Sequence, residues 1–210
     1  MKPRVLFLIK SKIGNEDRRI AQMQSWIKNI DIHSDYRFVI CYGNDDSVIK
    51  EGFDTILIPM VEDREFLPKK MKLLCNYISS DHRLRGYDYI VTMDDDVLVN
   101  VERFYDFLED DPDYFGNRWD GTNDHISGMM VGYSKIAFQI MVRSIVNMQD
   151  QGHDDLLMSI LFKRSFRRMN LHIMTDKHRF RPRQKNITDQ TIAVEIYPFS
   201  PEAMKEFKFN

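Results

Sequence analysis

Cysteine is scarce in this 210-residue chain: Cys41 and Cys75 are the only two. They stand in apolar surroundings without metal-ligand spacing and read as buried, reduced thiols. A chain of this length buries enough core to fold without disulfide or metal staples. Long apolar runs are missing too. No stretch approaches the roughly 18 residues of a membrane span. The opening MKPRVLFLIKSK holds one short apolar run, Val5–Ile9, too brief for a signal-peptide core. That run reads as a first strand, and the expected location is cytoplasmic or otherwise soluble and intracellular, in a viral or bacterial setting. The sequon Asn186-Ile187-Thr188 would matter only in a secreted chain. An excess of one charge is also lacking. Lys+Arg is 30 and Asp+Glu is 32, a net of −2, which gives no whole-chain reason for a nucleic-acid or membrane partner. Repeats, low-complexity tracts and linkers are absent from the sequence.

What is present is ordinary globular composition, 43% hydrophobic and 30% charged, at a length suited to one domain. Strand-like and helix-like segments alternate. Val5–Ile9, Tyr36–Tyr42, Thr55–Ile58, Tyr87–Met93, Ile126–Tyr133 and Ile192–Tyr197 read as strands. Helical spacing marks Asn15–Ile30 (Ile20, Met23, Ile27, Ile30), Pro68–Ser79 (Met71, Leu74, Cys75, Ile78), Val101–Leu108, Ser134–Met148 (Ile136, Ile140, Met141, Ile145), Asp154–Phe162 and Pro201–Phe207. Asp110–Asn123, rich in turn formers, reads as a loop. The alternation predicts an α/β domain with a mixed, mostly parallel sheet flanked by helices.

The most informative stretch runs from Tyr87 to Asn100, YDYIVTMDDDVLVN. An apolar strand delivers Asp94, Asp95 and Asp96 to its carboxyl end, where ligands bind in α/β sheets. Adjacent carboxylates repel unless a cation or donors offset them. Oxygen ligands select hard ions such as Mg²⁺ or Mn²⁺, held by one or two carboxylates together with substrate phosphates. The competing reading is a solvated acidic turn ahead of the helix at Val101.

Here the sequence resembles a family. IVTMDDDVLVNVERFYDFL is similar to the metal-binding DxD region of inverting GT-A glycosyltransferases, most of all the galactosyltransferase and Fringe-type group. Three further segments follow in the family's order. EDRRIAQMQSWI resembles its ERRxxIRxTW helix through Arg18, Arg19, Ser25 and Trp26, with Met23 in place of the later arginine. ISGMMVGYSKIAF resembles the SGxGYxLS strand, and HDDLLMSIL the EDVxxG segment. The resemblance covers residues 4–162, with IYPFSPEAM similar to a closing HYxSPEEM. Tyr197 stands where that closing segment has histidine, a frequent third metal contact; Glu195, His172 or His178 are the substitutes at hand.

The resemblance implies a single GT-A domain over 1–210, with a nucleotide-binding half (1–100) and an acceptor half (101–210). It implies a Mn²⁺ or Mg²⁺ cofactor, a nucleotide-sugar donor, UDP-linked, and a glycan or other hydroxyl acceptor. Asp96 is the foremost metal ligand, with Asp94 toward the ion or ribose and Asp95 supporting. Asp155 matches the family's catalytic base and Asp154 is the alternate; both also suit helix capping. Lys10, Ser11, Arg18, Arg19 and Lys70, with neighbouring Lys69, are the donor-side candidates. Trp119, Ser127 and Gly128 are those for the acceptor, although Trp119 serves equally as a loop anchor.

Residues 163–185 hold nine Lys/Arg and one acid, Asp176, a net of +8 against −10 for the remainder. This segment reads as a basic lid over a diphosphate, a dock for an anionic acceptor, or a solvated loop. Nucleic acid is not an expected partner, since only Phe166 and Phe180 interleave the charges. Two other functions compete. One is a GT-A domain that binds nucleotide or glycan without turnover, which the missing histidine favours. The other is a HAD-like phosphatase with an aspartyl nucleophile, which Leu98, where a small hydroxyl residue is expected, disfavours.

Overall fold

In a computed structural model of the chain, the opening apolar run forms β1 (Val5–Ser11). The structure describes residues 2–43, 48–119, 125–154, 156–158, 160–161, 169, 171–175, 179–181, 188–196 and 200–209, with only the backbone at 85, 118, 119, 125 and 181. Alternate residues of β1 enter two different cores. Val5, Phe7 and Ile9 join one and Leu6 and Leu8 the other. That is why β1 is continuously apolar rather than alternating: it is covered on both faces.

β1 lies inside an eight-stranded sheet of order β3-β4-β2-β1-β5-β8-β7-β9. The members are β2 (Asp35–Cys41), β3 (Lys50–Glu51), β4 (Thr55–Ile58), β5 (Tyr89–Asp94), β7 (Tyr114–Trp119), β8 (His125–Ser134) and β9 (Ile173–Thr175). β4, β2, β1 and β5 are mutually parallel neighbours, whereas β8 runs antiparallel to β5. A second sheet joins β10 (Phe180–Arg181), β11 (Ala193–Glu195) and β6 (Val97–Val99). The chain moves outward from β1 through β2 and β4, then returns to β1's other side with β5. The carboxyl ends of β1 and β5 therefore border a topological switch point, the crevice where α/β folds take ligands.

Helices α1 (Glu16–Ser25) and α3 (Val101–Leu108) pack on one face of the large sheet. α2 (Leu67–Ser80) and α4 (Lys135–Ile145) cover the other. A last helix, α5 (Pro201–Glu206), lies against α1. Caps follow local chemistry: the side chains of Asn100, Ser134 and Ser200 accept from backbone N–H groups three residues on, at Arg103, Ala137 and Ala203. No helix among the described residues is long and apolar enough to cross a membrane.

Three sequence expectations change. α1 ends at Ser25, and a 3₁₀ turn (Ile27–Asn29) replaces its last turn. Within α1 the fully buried residues are Ala21 and Gln22; of the expected stripe, Ile27 is buried in the 3₁₀ turn and Met23 and Ile30 pack half-buried against the core, so a buried glutamine is what that stripe leaves out. In α4, Ile136 is 55% exposed, and Ala137, Phe138, Met141 and Ile145 make the core. Within the expected loop 110–123 the chain forms β7, with a register shift between Gly116 and Arg118. Gly116, at φ +154, leaves no space for a side chain, since a Cβ there would lie 2.4 Å from the Met130 carbonyl oxygen.

Candidate active site

The acidic turn is where β5 hands over to β6, and each aspartate has a different environment. Asp94 sits opposite Lys10 in the β1–β5 register, and Lys10 Nζ lies 3.0 Å from its Oδ1. Protein crowding and the neighbouring carboxylates push the Asp94 carboxyl up, while Lys10 pulls it down. With 43% of its side chain open to the cleft, solvent softens that burial.

Asp95 is 5% exposed and fully employed. It accepts from Ser11 Oγ (2.7 Å), Asn15 Nδ2 (2.9 Å) and Arg18 Nη1 (3.0 Å). Its carboxylate ties the acidic turn to the β1–α1 connection. Asp96 Oδ2 accepts from Arg18 Nη1 at 3.2 Å, but Oδ1 is shut away from solvent with no hydrogen-bond partner among the described residues. Burial first, then Asp94 and Asp95, raise the Asp96 carboxyl to about 6; Arg18 opposes them.

Lys10 connects this turn to the next element. Its ammonium donates to the Gly128 carbonyl (3.1 Å) and lies 3.9 Å from Asp154 Oδ2. It therefore stands between Asp94 and Asp154 with only 11% of its side chain exposed. The antiparallel β8 places its early residues beside the end of β5, with Met93 opposite Met130, so Ser127, Gly128 and Met129 border the turn. Lys70, on α2, is 2% exposed; its Nζ meets Glu62 at 3.1 and 3.3 Å and the Ser11 carbonyl at 3.5 Å.

One cleft of about 730 Å³ gathers these groups. Lys10, Ser11, Arg18, Lys70, Asp94, Asp95, Asp96, Ser127, Gly128 and Asp154, all expected from the sequence, line it together. Glu195 lines it as well, brought there by the β6–β11 pairing in which it faces Val97. Sequence reasoning passed over Asn15, Glu62, Arg64 and His153, which also line it. Asn15 and Glu62 sit in segments with turn character, so only their place after a strand hints at a role.

Other expected residues fall elsewhere. Arg19 is not in the lining: it donates to the carbonyls of Lys12 (2.6 Å) and Ile13 (3.5 Å) and braces the β1–α1 connection. His172 binds Asp111 and Asp113, at the start of β7 and β9, and does not reach the cleft. Trp119 ends β7, and its side chain is outside the described residues, as are Asp155, His178, Tyr197 and most of the basic segment 163–185.

The donor set fits a hard divalent cation. One oxygen of the Asp96 carboxylate is paired with Arg18, and the other is buried with no hydrogen-bond partner among the described residues. Asp94 offers a second carboxylate open to the same cleft. No group of three or more His, Cys, Asp or Glu among the described residues is arranged as a metal cage. Two carboxylates with room for phosphate oxygens is the arrangement Mg²⁺ commonly uses.

No protein-family model matches the chain, and no curated protein is significantly similar to it in sequence. Among solved structures it is similar to a glycosyltransferase involved in the glycosylation of the major capsid of PBCV-1. The TM-score is 0.61 at 14% identity, over 97% of this chain and 98% of that one. The mixed α/β architecture of this chain is thus a glycosyltransferase fold of the GT-A-like type.

Proposed function

We propose that the chain is a metal-dependent, inverting glycosyltransferase that moves a sugar from a nucleotide-sugar donor, UDP-linked, to a hydroxyl of a glycan or similar acceptor. One observation carries this reading. At the carboxyl ends of β1 and β5, Asp94 and Asp96 line one cleft, and behind it the buried second oxygen of Asp96 has no hydrogen-bond partner among the described residues, within a fold shared with a glycosyltransferase. The role of that neighbour in capsid glycosylation makes a protein-borne glycan a fitting acceptor class.

When bound, Mn²⁺ or Mg²⁺ supplies positive charge against the departing diphosphate, and Asp96 and Asp94 would hold it. Arg18 shares Asp95 and Asp96, fixing both carboxylates, and Lys70, ion-paired with Glu62, stands near Ser11 on the donor side. Asp155, or Asp154 beside it, takes the acceptor hydroxyl proton as the oxygen attacks the anomeric carbon. Lys10 lies between Asp154 and Asp94 and so joins the acceptor and donor sides. Ser127, Gly128 and Trp119 belong to the acceptor side.

A second reading, nucleotide or glycan binding without turnover, draws on Tyr197 at the position of the family's histidine. Calorimetry of UDP with Mn²⁺ present, paired with donor hydrolysis, separates the two. Binding with slow hydrolysis or transfer supports the enzyme, and binding with neither supports the second reading. No UDP binding, with no effect of Asp96→Ala, refutes both.

A further inference from the structure

Gln22 has no exposed surface and sits on the core face of α1 beside Ala21 and Trp26. A hydrocarbon side chain of similar length would fill that space without the cost of burying an amide. The amide is fully used. Nε2 donates to the Asp95 carbonyl and to the Val97 carbonyl, each at 2.9 Å, and Oε1 accepts from the Trp26 indole N–H. Asp96 lies between those two carbonyls, and its own carbonyl accepts from the Ile196 N–H at 2.8 Å. Three successive carbonyls of the acidic turn are therefore held from two directions, by one side chain of α1 and by the strand-end backbone after β11.

A turn with three adjacent aspartates has strong reason to spread, since its charges repel. Hydrogen bonds to buried carbonyls oppose that motion, and removing their donor leaves two carbonyls unsatisfied. We propose that Gln22 is the positioning residue of the acidic turn, fixing the backbone on both sides of Asp96 so that its carboxylate is set for a divalent cation before ligand arrives. The cation part rests on the reading given above; the backbone clamp does not.

The test uses Gln22→Met, which keeps the volume and loses the donors, and Ile27→Ala, which loosens the same core but leaves every hydrogen bond of the Gln22 amide in place. Amide exchange over residues 95–98 is measured without metal, and Mn²⁺ affinity with UDP by electron paramagnetic resonance. Gln22→Met is expected to speed exchange and weaken Mn²⁺ by about tenfold or more. Ile27→Ala is expected to change both by less than about threefold at a comparable loss of Tm. Wild-type exchange and affinity in Gln22→Met overturn the proposal, as does an equal effect of Ile27→Ala, which would mark Gln22 as merely structural. If Gln22→Met does not fold, Gln22→Asn, too short to reach both carbonyls, reads the same quantities. If the wild-type protein binds no UDP with Mn²⁺, the functional reading fails, and exchange alone supports or overturns the clamp.

Discussion

Asp96 should destabilise the metal-free protein at neutral pH, and removing its charge should reveal by how much. Its carboxyl rises from an ordinary 3.8 to about 6, chiefly through burial. Between those values the folded state keeps a proton that the unfolded chain has released. Stability therefore falls as pH rises through this window, and the full penalty is present above it. About two pKa units correspond to roughly 3 kcal/mol. One-fifth of the side chain is exposed and Arg18 is close, so a figure of about 2 kcal/mol is more realistic. Asp96→Asn should accordingly be more stable than wild type in EDTA at pH 7.5 by about 2 kcal/mol, or roughly 4–8 °C in Tm. The difference should shrink to about 0.5 kcal/mol by pH 4, near the unfolded carboxyl's own value, and vanish only below both values. Adding Mn²⁺ and UDP at about 100 times Kd should raise only the wild type, by about 2.7 kcal/mol, and reverse the ranking. Urea melts from pH 4 to 7.5 decide the matter. Parallel pH profiles for the two proteins, or a less stable Asp96→Asn at pH 7.5 in EDTA, would refute the reasoning.

Lys10→Met leaves Asp94 and Asp154 without their shared ammonium; a loss of about 1–3 kcal/mol is expected in urea melts at pH 7.5, and a loss below about 0.5 kcal/mol would remove Lys10 as the bridge. Asp154→Asn and Asp155→Asn should separate the base from its neighbour. The base variant should lose about 10²–10⁴-fold in turnover at unchanged UDP–Mn²⁺ affinity, measured by product formation and calorimetry. Gly132→Ala would place a Cβ 1.9 Å from the Phe115 ring, so thermal melts should show a loss of about 1–3 kcal/mol from overpacking.

The elements that the sequence announces are those with one dominant signal. β4 and α3 appear within their expected bounds because an apolar run and a strict helical stripe each stand between clear breakers. α2 keeps its predicted face of Met71, Leu74, Cys75 and Ile78. β7 was illegible because YFGNRW carries glycine and asparagine in its centre, and its bulge breaks the alternation that marks a strand. β6 is three residues long and directly follows three aspartates, so nothing local separates it from the turn. At the site, the aspartates and Lys10 were legible through their place at strand ends. Gln22 was not, since a polar residue on a helix reads as solvent-facing until the tertiary structure buries it. Glu195 was available only as a substitute ligand, because its approach depends on a strand pairing across nearly a hundred residues.

That pairing has a consequence for how the site comes into being. Residues 10–12, 15, 18, 62, 64, 67, 70, 94–96, 127–129, 153, 154 and 195 share one cleft, so the proposed cation site cannot mature before the last strand docks. A fragment ending ahead of β11 would retain every aspartate yet lose the partner that holds β6 and the backbone contact from Ile196 to Asp96. Nearly all of the binding chemistry is written by residue 154, but its assembly waits for the end of the chain. Contacts of such long sequence separation form late and slowly. During synthesis the nascent chain would thus carry a complete acidic motif without the proposed cation site in place until the C-terminal segment closes against it.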